Sequence, residues 1–264
     1  MPKIITEDMI EQAAIKALQE RHDYNVLNCM TEEPDTLPDG TGRKDKKQVV
    51  LPDVMLESLC RINPDIPEQT VRTVVNELCR TPVSGDLMQT NYQNYQKIRN
   101  GITVEYNENG KKTSNIFRLL SYNDVLSNTF TVASQMWIKG ETHWRRPDLI
   151  IFINGFPMIF IELKNSNIPV KNAYDINLKN YLKDIPYLFN YNQICVLSNG
   201  METRLGSFAA GYEFFFEWLK VENEKENPDR KAIRENCTSL EYFIAGLCEP
   251  KNLLDYIENF ILYD

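Results

Sequence analysis

An aspartate at 148, a glutamate at 162 and a lysine at 164 are the residues of this 264-residue chain best suited to do chemistry. The two acids stand at either end of a mostly apolar stretch. Charges in such a setting are costly unless paired or bound to a cation. Side chains alternate across a strand, so Glu162 and Lys164 project to one face and Leu163 to the other. If Asp148 meets Glu162, the carboxylates repel unless a divalent cation sits between them. Mg²⁺ suits such a place, because it takes oxygen ligands and keeps several waters. The Leu163 carbonyl can complete the protein ligands. Lys164 is then positioned to orient or help activate a water and to offset charge on a scissile phosphate. That chemistry is metal-assisted hydrolysis of a phosphodiester. The competing account is a plain Glu162–Lys164 salt bridge, since Glu-x-Lys is frequent by chance. The whole arrangement favours the site: Pro147-Asp148, two apolar strands, Glu162-Leu163-Lys164, then a helix bearing lysines.

Those side chains meet only if a hairpin brings them together. Leu149–Ile153 and Pro157–Ile161 flank an Asn154-Gly155 turn signal. Both runs are nearly continuous, so both strands belong in a covered sheet. A three-residue loop at 154–156 pairs Ile153 with Pro157 and Asp148 with Glu162. A strict two-residue loop pairs Asp148 with Ile161 and turns Glu162 to the wrong face. An odd-length loop or a bulge is therefore expected. Pro157, which cannot donate to a ladder, puts the irregularity near the turn.

Around the hairpin, residues 6–20 read as an amphipathic helix capped by Thr6, with Glu7 and Glu11 on one face. A polar loop at 31–48, rich in proline and glycine, precedes helices at 52–61 and 67–80. Strands are expected at 102–106, 117–120 and 129–138. Residues 171–183 read as a helix with an apolar line (Tyr174, Leu178, Leu182) and a charged one (Lys171, Asp175, Lys179, Lys183). Strands at 193–197 and 204–208, and helices near 238–247 and 251–262, complete the pattern.

Composition narrows the functions available. With 42% hydrophobic and 25% charged residues, the chain is an ordinary soluble one that needs neither disulfides nor a structural metal to fold. Six cysteines (29, 60, 79, 195, 237, 248) form no close pair, and His22 and His143 are the two histidines. That is too few for the usual zinc ligand set, and it weakens a histidine-based triad. The apolar runs fall far short of a membrane span, and the first residues lack the apolar stretch of a signal peptide. A cytoplasmic location with no membrane is expected. No GxxxxGK[ST] or GxGxxG occurs, so these residues are not a P-loop ATPase or a Rossmann enzyme. The net charge of −8 argues against a broad basic surface that wraps nucleic acid. The charge is uneven, however. Residues 212–264 hold twelve acids and six bases, whereas 139–183 hold seven bases and four acids. A basic middle can still hold DNA locally.

Arg146-Pro147-Asp148 followed by Glu162-Leu163-Lys164 resembles the PD-(D/E)xK nuclease motif. The longer run Arg146–Asn165 is similar to the N-terminal endonuclease domain of the R subunit of type I restriction-modification enzymes. The similarity continues through Asn172-Ala173-Tyr174, Tyr181–Asn192, Ser198-Asn199-Gly200, Arg204–Gly206 and Phe216-Glu217-Trp218. It is strong over about 130–220 and weak before 100. It implies an α/β fold: a mixed central sheet flanked by helices, with a helical N-terminal part and a helical C-terminal tail. It implies a Mg²⁺-dependent endonuclease acting on double-stranded DNA. Asp148, Glu162 and Lys164 are then catalytic, and Asp148, Glu162 and the Leu163 carbonyl hold the metal. Related nucleases add an acid from the first helix. Glu11 is preferred to Glu7 because it lies deeper in that helix, although first-turn acids are commonly only dipole partners. The family's Q-x-x-x-Y pattern falls on Asn177 and Tyr181 as DNA contacts, with asparagine keeping the amide but losing one methylene of reach. Arg145 and Arg146 flank the site as phosphate contacts, and the basic loop 42–48 is a weaker candidate.

The resemblance further implies partners, namely modification and specificity subunits, with ATP bound only by motor domains outside this chain. The chain reads as one endonuclease domain, 1–264, with a catalytic core at about 100–210. Residues 212–264 read as an acidic helical tail leading toward the motor. Two alternatives stand beside this: a non-catalytic docking or DNA-binding module that keeps the nuclease fold, and a free-standing nuclease of the same fold.

Overall fold

Thr6 starts the first helix as the spacing predicts. Its Oγ1 accepts from the Met9 N–H at 3.3 Å, Glu7 and Asp8 sit at the favourable dipole end, and α1 runs Glu7–His22. The computed structural model describes residues 4–80, 85–108, 110–223 and 225–263. After α1 come β1 (Asn25–Asn28), α2 (Pro52–Ile62), α3 (Glu68–Leu78) and α4 (Leu87–Asn100). β2 (Ile102–Glu108) and β3 (Lys111–Phe117) pair as a separate ribbon. β4 (Phe130–Ser134) returns to the centre, and β5 (Ile138–Lys139) and β6 (Trp144–Arg145) form a second short ribbon. β7 (Leu149–Ile153) and β8 (Phe156–Leu163) make the expected hairpin. The chain then crosses over through a π-helical turn, Ala173–Leu178, that continues as α5 (Lys179–Asp184). β9 (Ile194–Ser198), β10 (Thr203–Gly206), β11 (Phe216–Glu217), α6 (Arg230–Asn236), α7 (Ser239–Gly246) and α8 (Pro250–Asn259) follow. Among the described residues, no helix is long and apolar enough to cross a membrane.

The central sheet has seven strands in the order β1-β4-β7-β8-β9-β10-β11. β1 runs parallel to β4 and β8 parallel to β9, and the other neighbours are antiparallel. Helices cover both faces. Leu149, Ile151 and Ile153 pack with Ile10, Ala14 and Leu18 of α1 and with Phe243 and Ile244 of α7. Ile150, Phe152 and Phe160 pack with Leu178, Tyr181 and Phe189 on the other side. Two covered faces explain why the hairpin sequence is continuously apolar rather than alternating. The acidic stretch after 212 folds back into the same molecule. Leu240, Leu247, Leu253 and Ile257 join the core of α1, and Cys248 and Ile257 offer carbonyls to the hydroxyls of Tyr24 and Tyr95 at 2.9 and 3.0 Å.

The hairpin corrects one detail of the sequence reading. Its loop is the two residues Asn154-Gly155, with Ile153 opposite Phe156 and Phe152 opposite Pro157, not the three-residue loop 154–156. The register is restored by a bulge: Ile151 faces Ile159, so Met158 is the extra residue. Leu149 then faces Ile161, and Asp148 falls into line with Glu162. Both turn residues have positive φ, 51° and 81°, which is the demand of a type I′ turn and the reason for Asn-Gly. A β-carbon at Gly155 would lie 2.6 Å from the Leu51 carbonyl oxygen and 3.0 Å from the Met55 nitrogen, both of which are backbone. Gly155→Ala is therefore expected to cost about 2–4 kcal/mol, from strain plus forced backbone movement. Urea unfolding of the two proteins measures this.

Other departures have local causes. No apolar period marks 87–100 as a helix, because the buried face of α4 carries Asn91 and Asn94. Their amides donate to the carbonyls of Phe189, Asn192 and Asn190 at 2.7–3.0 Å. The expected strand at 129–138 stops at Ser134, where Gln135 takes a φ of 55°. The expected strand at 117–120 is instead the end of β3 at Phe117.

Candidate active site at the end of the central hairpin

The bulge delivers both acids to one place. Asp148 precedes β7, and its Oδ2 accepts from the Leu163 N–H across the hairpin at 2.7 Å. Glu162 is only 2% exposed. Its Oε1 accepts from the Lys164 ammonium at 3.0 Å, while its Oε2 is buried without a hydrogen-bond partner. The Lys164 Nζ also donates to the Leu163 carbonyl at 2.5 Å, and its main chain is held by the Ser198 carbonyl at 2.8 Å. The salt bridge weighed from sequence therefore exists, but it satisfies one glutamate oxygen and leaves the other bare. Burial, reinforced by the Asp148 charge, pushes the Glu162 carboxyl up to about 8, against the opposing pull of Lys164. Burial also raises Asp148, offset in part by the Leu163 N–H and by Lys164.

The strand exit fastens α1 beside these groups. Ile5 and Ser166 exchange bonds, Ile5 N–H to Ser166 Oγ at 3.0 Å and Ser166 N–H to the Ile5 carbonyl at 2.9 Å. Asn165 Oδ1 accepts from the Glu7 N–H at 2.9 Å. The clasp brings both helix acids in, each to a different neighbour. Glu7 Oε1 lies 3.9 Å from Lys164 Nζ. Glu11, 6% exposed, accepts from the side chain of Gln135 at 2.5 Å. Burial lifts the Glu11 carboxyl to about 7, with the Gln135 bond opposing and the Asp148 charge adding.

The crossover closes the other side. The Tyr181 ring packs edge-on against Phe160, with centroids 5.2 Å apart, and its hydroxyl donates to the Arg146 carbonyl at 3.0 Å. Burial and the charges of Glu162 and Asp148 raise its ionisation well above the ordinary tyrosine value. Asn177 is half-buried within the π-helical turn. Such turns often occur at functional sites. The two arginines part company. Arg145 is bound through Nε at 2.6 Å, and through Nη2, to Asp184 of α5. Arg146 lays its guanidinium 4.9 Å from the Trp137 ring centroid and points Nη1 to the Met30 sulfur at 3.1 Å.

The loop 42–48 is not the solvated basic segment its composition suggests. Arg43 and Lys46 are buried and converge on Asp39 at 2.6 and 2.7 Å. Despite burial, Lys46, Thr41 and Arg43 hold that carboxyl well below the usual range. Two of its cations thus serve the fold rather than a ligand. Sequence reasoning missed Gln135 and Trp137 beside the site. Both fell inside a stretch read as one uninterrupted strand, and nothing in their local pattern separates them from strand residues.

Among the described residues, no group of three or more His, Cys, Asp or Glu side chains is arranged to hold a metal ion. The donors at the hairpin are instead two carboxylates and a carbonyl: Asp148, the unpartnered Oε2 of Glu162 and the Leu163 oxygen. An all-oxygen set fits Mg²⁺ better than a softer metal. The bare buried glutamate oxygen is what a cation would satisfy.

Residues 4–237 match the family model described as Type I restriction enzyme R protein N terminus. The type I restriction enzyme HindI endonuclease subunit of Haemophilus influenzae is 32% identical over 270 residues, covering 99% of this chain and 24% of that protein. The type I restriction enzyme SauCOLORF180P endonuclease subunit of Staphylococcus aureus is 38% identical over 150 residues, covering 54% of this chain and 15% of that protein. The chain thus spans about a quarter of the length of the first relative. With its mixed sheet, its paired acids at the hairpin end and a family match over nearly its whole length, the chain belongs to the family of type I restriction enzyme R protein N-terminal regions.

Proposed function

We propose that this chain is the Mg²⁺-dependent DNA endonuclease portion of a type I restriction enzyme R subunit. It hydrolyses phosphodiester bonds of double-stranded DNA in the cytoplasm, within a larger ATP-driven complex that includes modification and specificity subunits. ATP binds in motor regions outside these residues. The observation that carries the reading is the buried, unpartnered Glu162 oxygen beside Asp148. A charge there is tolerated when a cation shares it.

Asp148, Glu162 and the Leu163 carbonyl hold the metal, with Glu11 near enough to Asp148 to feel its charge. Bound there, Mg²⁺ supplies Lewis-acid assistance to phosphodiester hydrolysis. The Leu163 N–H fixes the Asp148 carboxylate by occupying one oxygen. Lys164, tethered between Glu162 and the Leu163 carbonyl, aims an ammonium at the place where phosphate charge develops. Tyr181 keeps its proton and seals the inner side of Glu162. Asn177 and Arg146 serve as backbone contacts for DNA.

Calorimetric titration of Mg²⁺ into the complete protein, paired with cleavage of circular DNA, tests this. Asp148→Asn is expected to lose both metal binding and cleavage. Undiminished Mg²⁺ binding by that variant overturns the reading. The arginines separate in a second measurement. Arg146→Ala is expected to weaken DNA affinity and reduce its salt dependence. Arg145→Ala is expected chiefly to lower the thermal midpoint by a few degrees, because it leaves the buried Asp184 carboxylate without its guanidinium.

A further inference from the structure

Gln135 stands where β4 leaves the sheet, with a φ of 55°. Non-glycine residues rarely adopt that left-handed conformation, and those that do are often held there for function. Ser134 pairs with Leu149, so Gln135 lies opposite Asp148. Its N–H donates to the Asp148 carbonyl at 3.0 Å. Its side-chain Nε2 donates to Glu11 Oε2 at 2.5 Å, and the nearby amide favours the charged form of the Asp148 carboxylate. One residue thus joins α1 to the start of β7, two elements far apart in sequence. The chemistry of the amide suits that place. A carboxamide offers two N–H donors and no charge. It can hold two anionic side chains side by side without competing with a cation for them, as a lysine would, or repelling them, as an acid would.

We propose that Gln135 is the positioning residue of this site, its strained backbone and its amide together holding Glu11 beside Asp148, so that the Asp148 carboxylate is oriented for the cation. The inference rests on the nuclease reading above. It also accounts for the strain, since a glycine would hold the backbone bend at lower cost but would lack the amide.

The test compares Gln135→Gly with the parent in the complete protein, by three measurements. Thermal unfolding without metal is expected to show an unchanged or higher midpoint, because glycine relieves the left-handed conformation. Calorimetry with Mg²⁺ alone is expected to show affinity lowered about tenfold or more, the usual size for losing an outer partner of a ligand. DNA cleavage is expected to fall in kcat with KM for DNA little changed. Adding Gln135→Gly to Glu11→Gln is expected to produce no further loss of Mg²⁺ affinity, since the two act through one contact. An unchanged Mg²⁺ affinity in Gln135→Gly, whether or not the midpoint drops, overturns the inference, as does full additivity with Glu11→Gln. Glu162→Ala serves as the control for the underlying reading. If Glu162→Ala leaves Mg²⁺ binding and cleavage intact, the nuclease reading fails. If it abolishes them while Gln135→Gly matches the parent, only the role of Gln135 fails.

Discussion

On the function proposed above, Glu162→Gln and Lys164→Ala are each expected to lower DNA cleavage by the complete protein about 10³-fold or more. The two losses should have different origins. Glu162→Gln keeps the shape of the side chain but cannot supply the ionised carboxylate that a cation needs, at a position that is 2% exposed. Mg²⁺ affinity should fall with activity. Lys164→Ala leaves both acids and the Leu163 carbonyl in place. Mg²⁺ affinity should hold or rise, because the ammonium that now bonds Glu162 Oε1 and the Leu163 carbonyl is gone. Single-turnover cleavage with calorimetry in parallel distinguishes them. Normal cleavage by either variant would remove the catalytic role assigned to that residue. A merely structural Glu162–Lys164 bridge predicts instead that both variants lose stability together and that neither changes Mg²⁺ affinity.

The second large effect is on pH. In the folded chain Glu162 keeps its proton up to about 8, against an ordinary value of 4.5. The cause is first its burial and then the neighbouring Asp148 charge. Between those values the folded state binds more protons than the unfolded one, so stability falls as pH rises from about 4.5 to about 8. Below that window the contribution is fully present. At one pKa unit per 1.4 kcal/mol, the loss by pH 7 is on the order of 3 kcal/mol. Glu11, raised to about 7 by burial, adds to the same trend. Metal-free thermal melts across this range should show the decline, and Glu162→Gln should remove roughly half of it, the rest belonging to Glu11. Saturating Mg²⁺ should reverse the slope. A cation requires the ionised carboxylate, so its affinity should climb by up to about tenfold per pH unit until Glu162 is ionised. A flat metal-free profile in the parent protein would show that Glu162 is not held neutral by its surroundings.

Local chemistry made part of this molecule readable from its amino acids alone. Alternation puts Glu162 and Lys164 on one face, and the count of residues between Asp148 and Glu162 requires an irregular hairpin if the two acids are to meet. Thr6 announced the helix that carries Glu7 and Glu11, and Asn154-Gly155 announced the turn. These features follow from neighbours in sequence, where sterics and hydrogen-bond geometry act within a few residues. The position of the bulge at Met158 did not follow, because a three-residue loop satisfied the same register.

What only the tertiary structure decided depends on partners far along the chain. Glu11 and Gln135 are 124 residues apart, and nothing around either one signals the other. Arg145 looked equivalent to Arg146 until the fold brought Asp184 to it. Arg43 and Lys46 carried the composition of a solvated loop, yet Asp39 draws them inside. α4 hid because its buried face is made of amides that find carbonyls about a hundred residues away. In each case a polar side chain is buried or committed because a specific distant group compensates its desolvation. Periodicity records which residues leave water, and it cannot record which partner makes that possible.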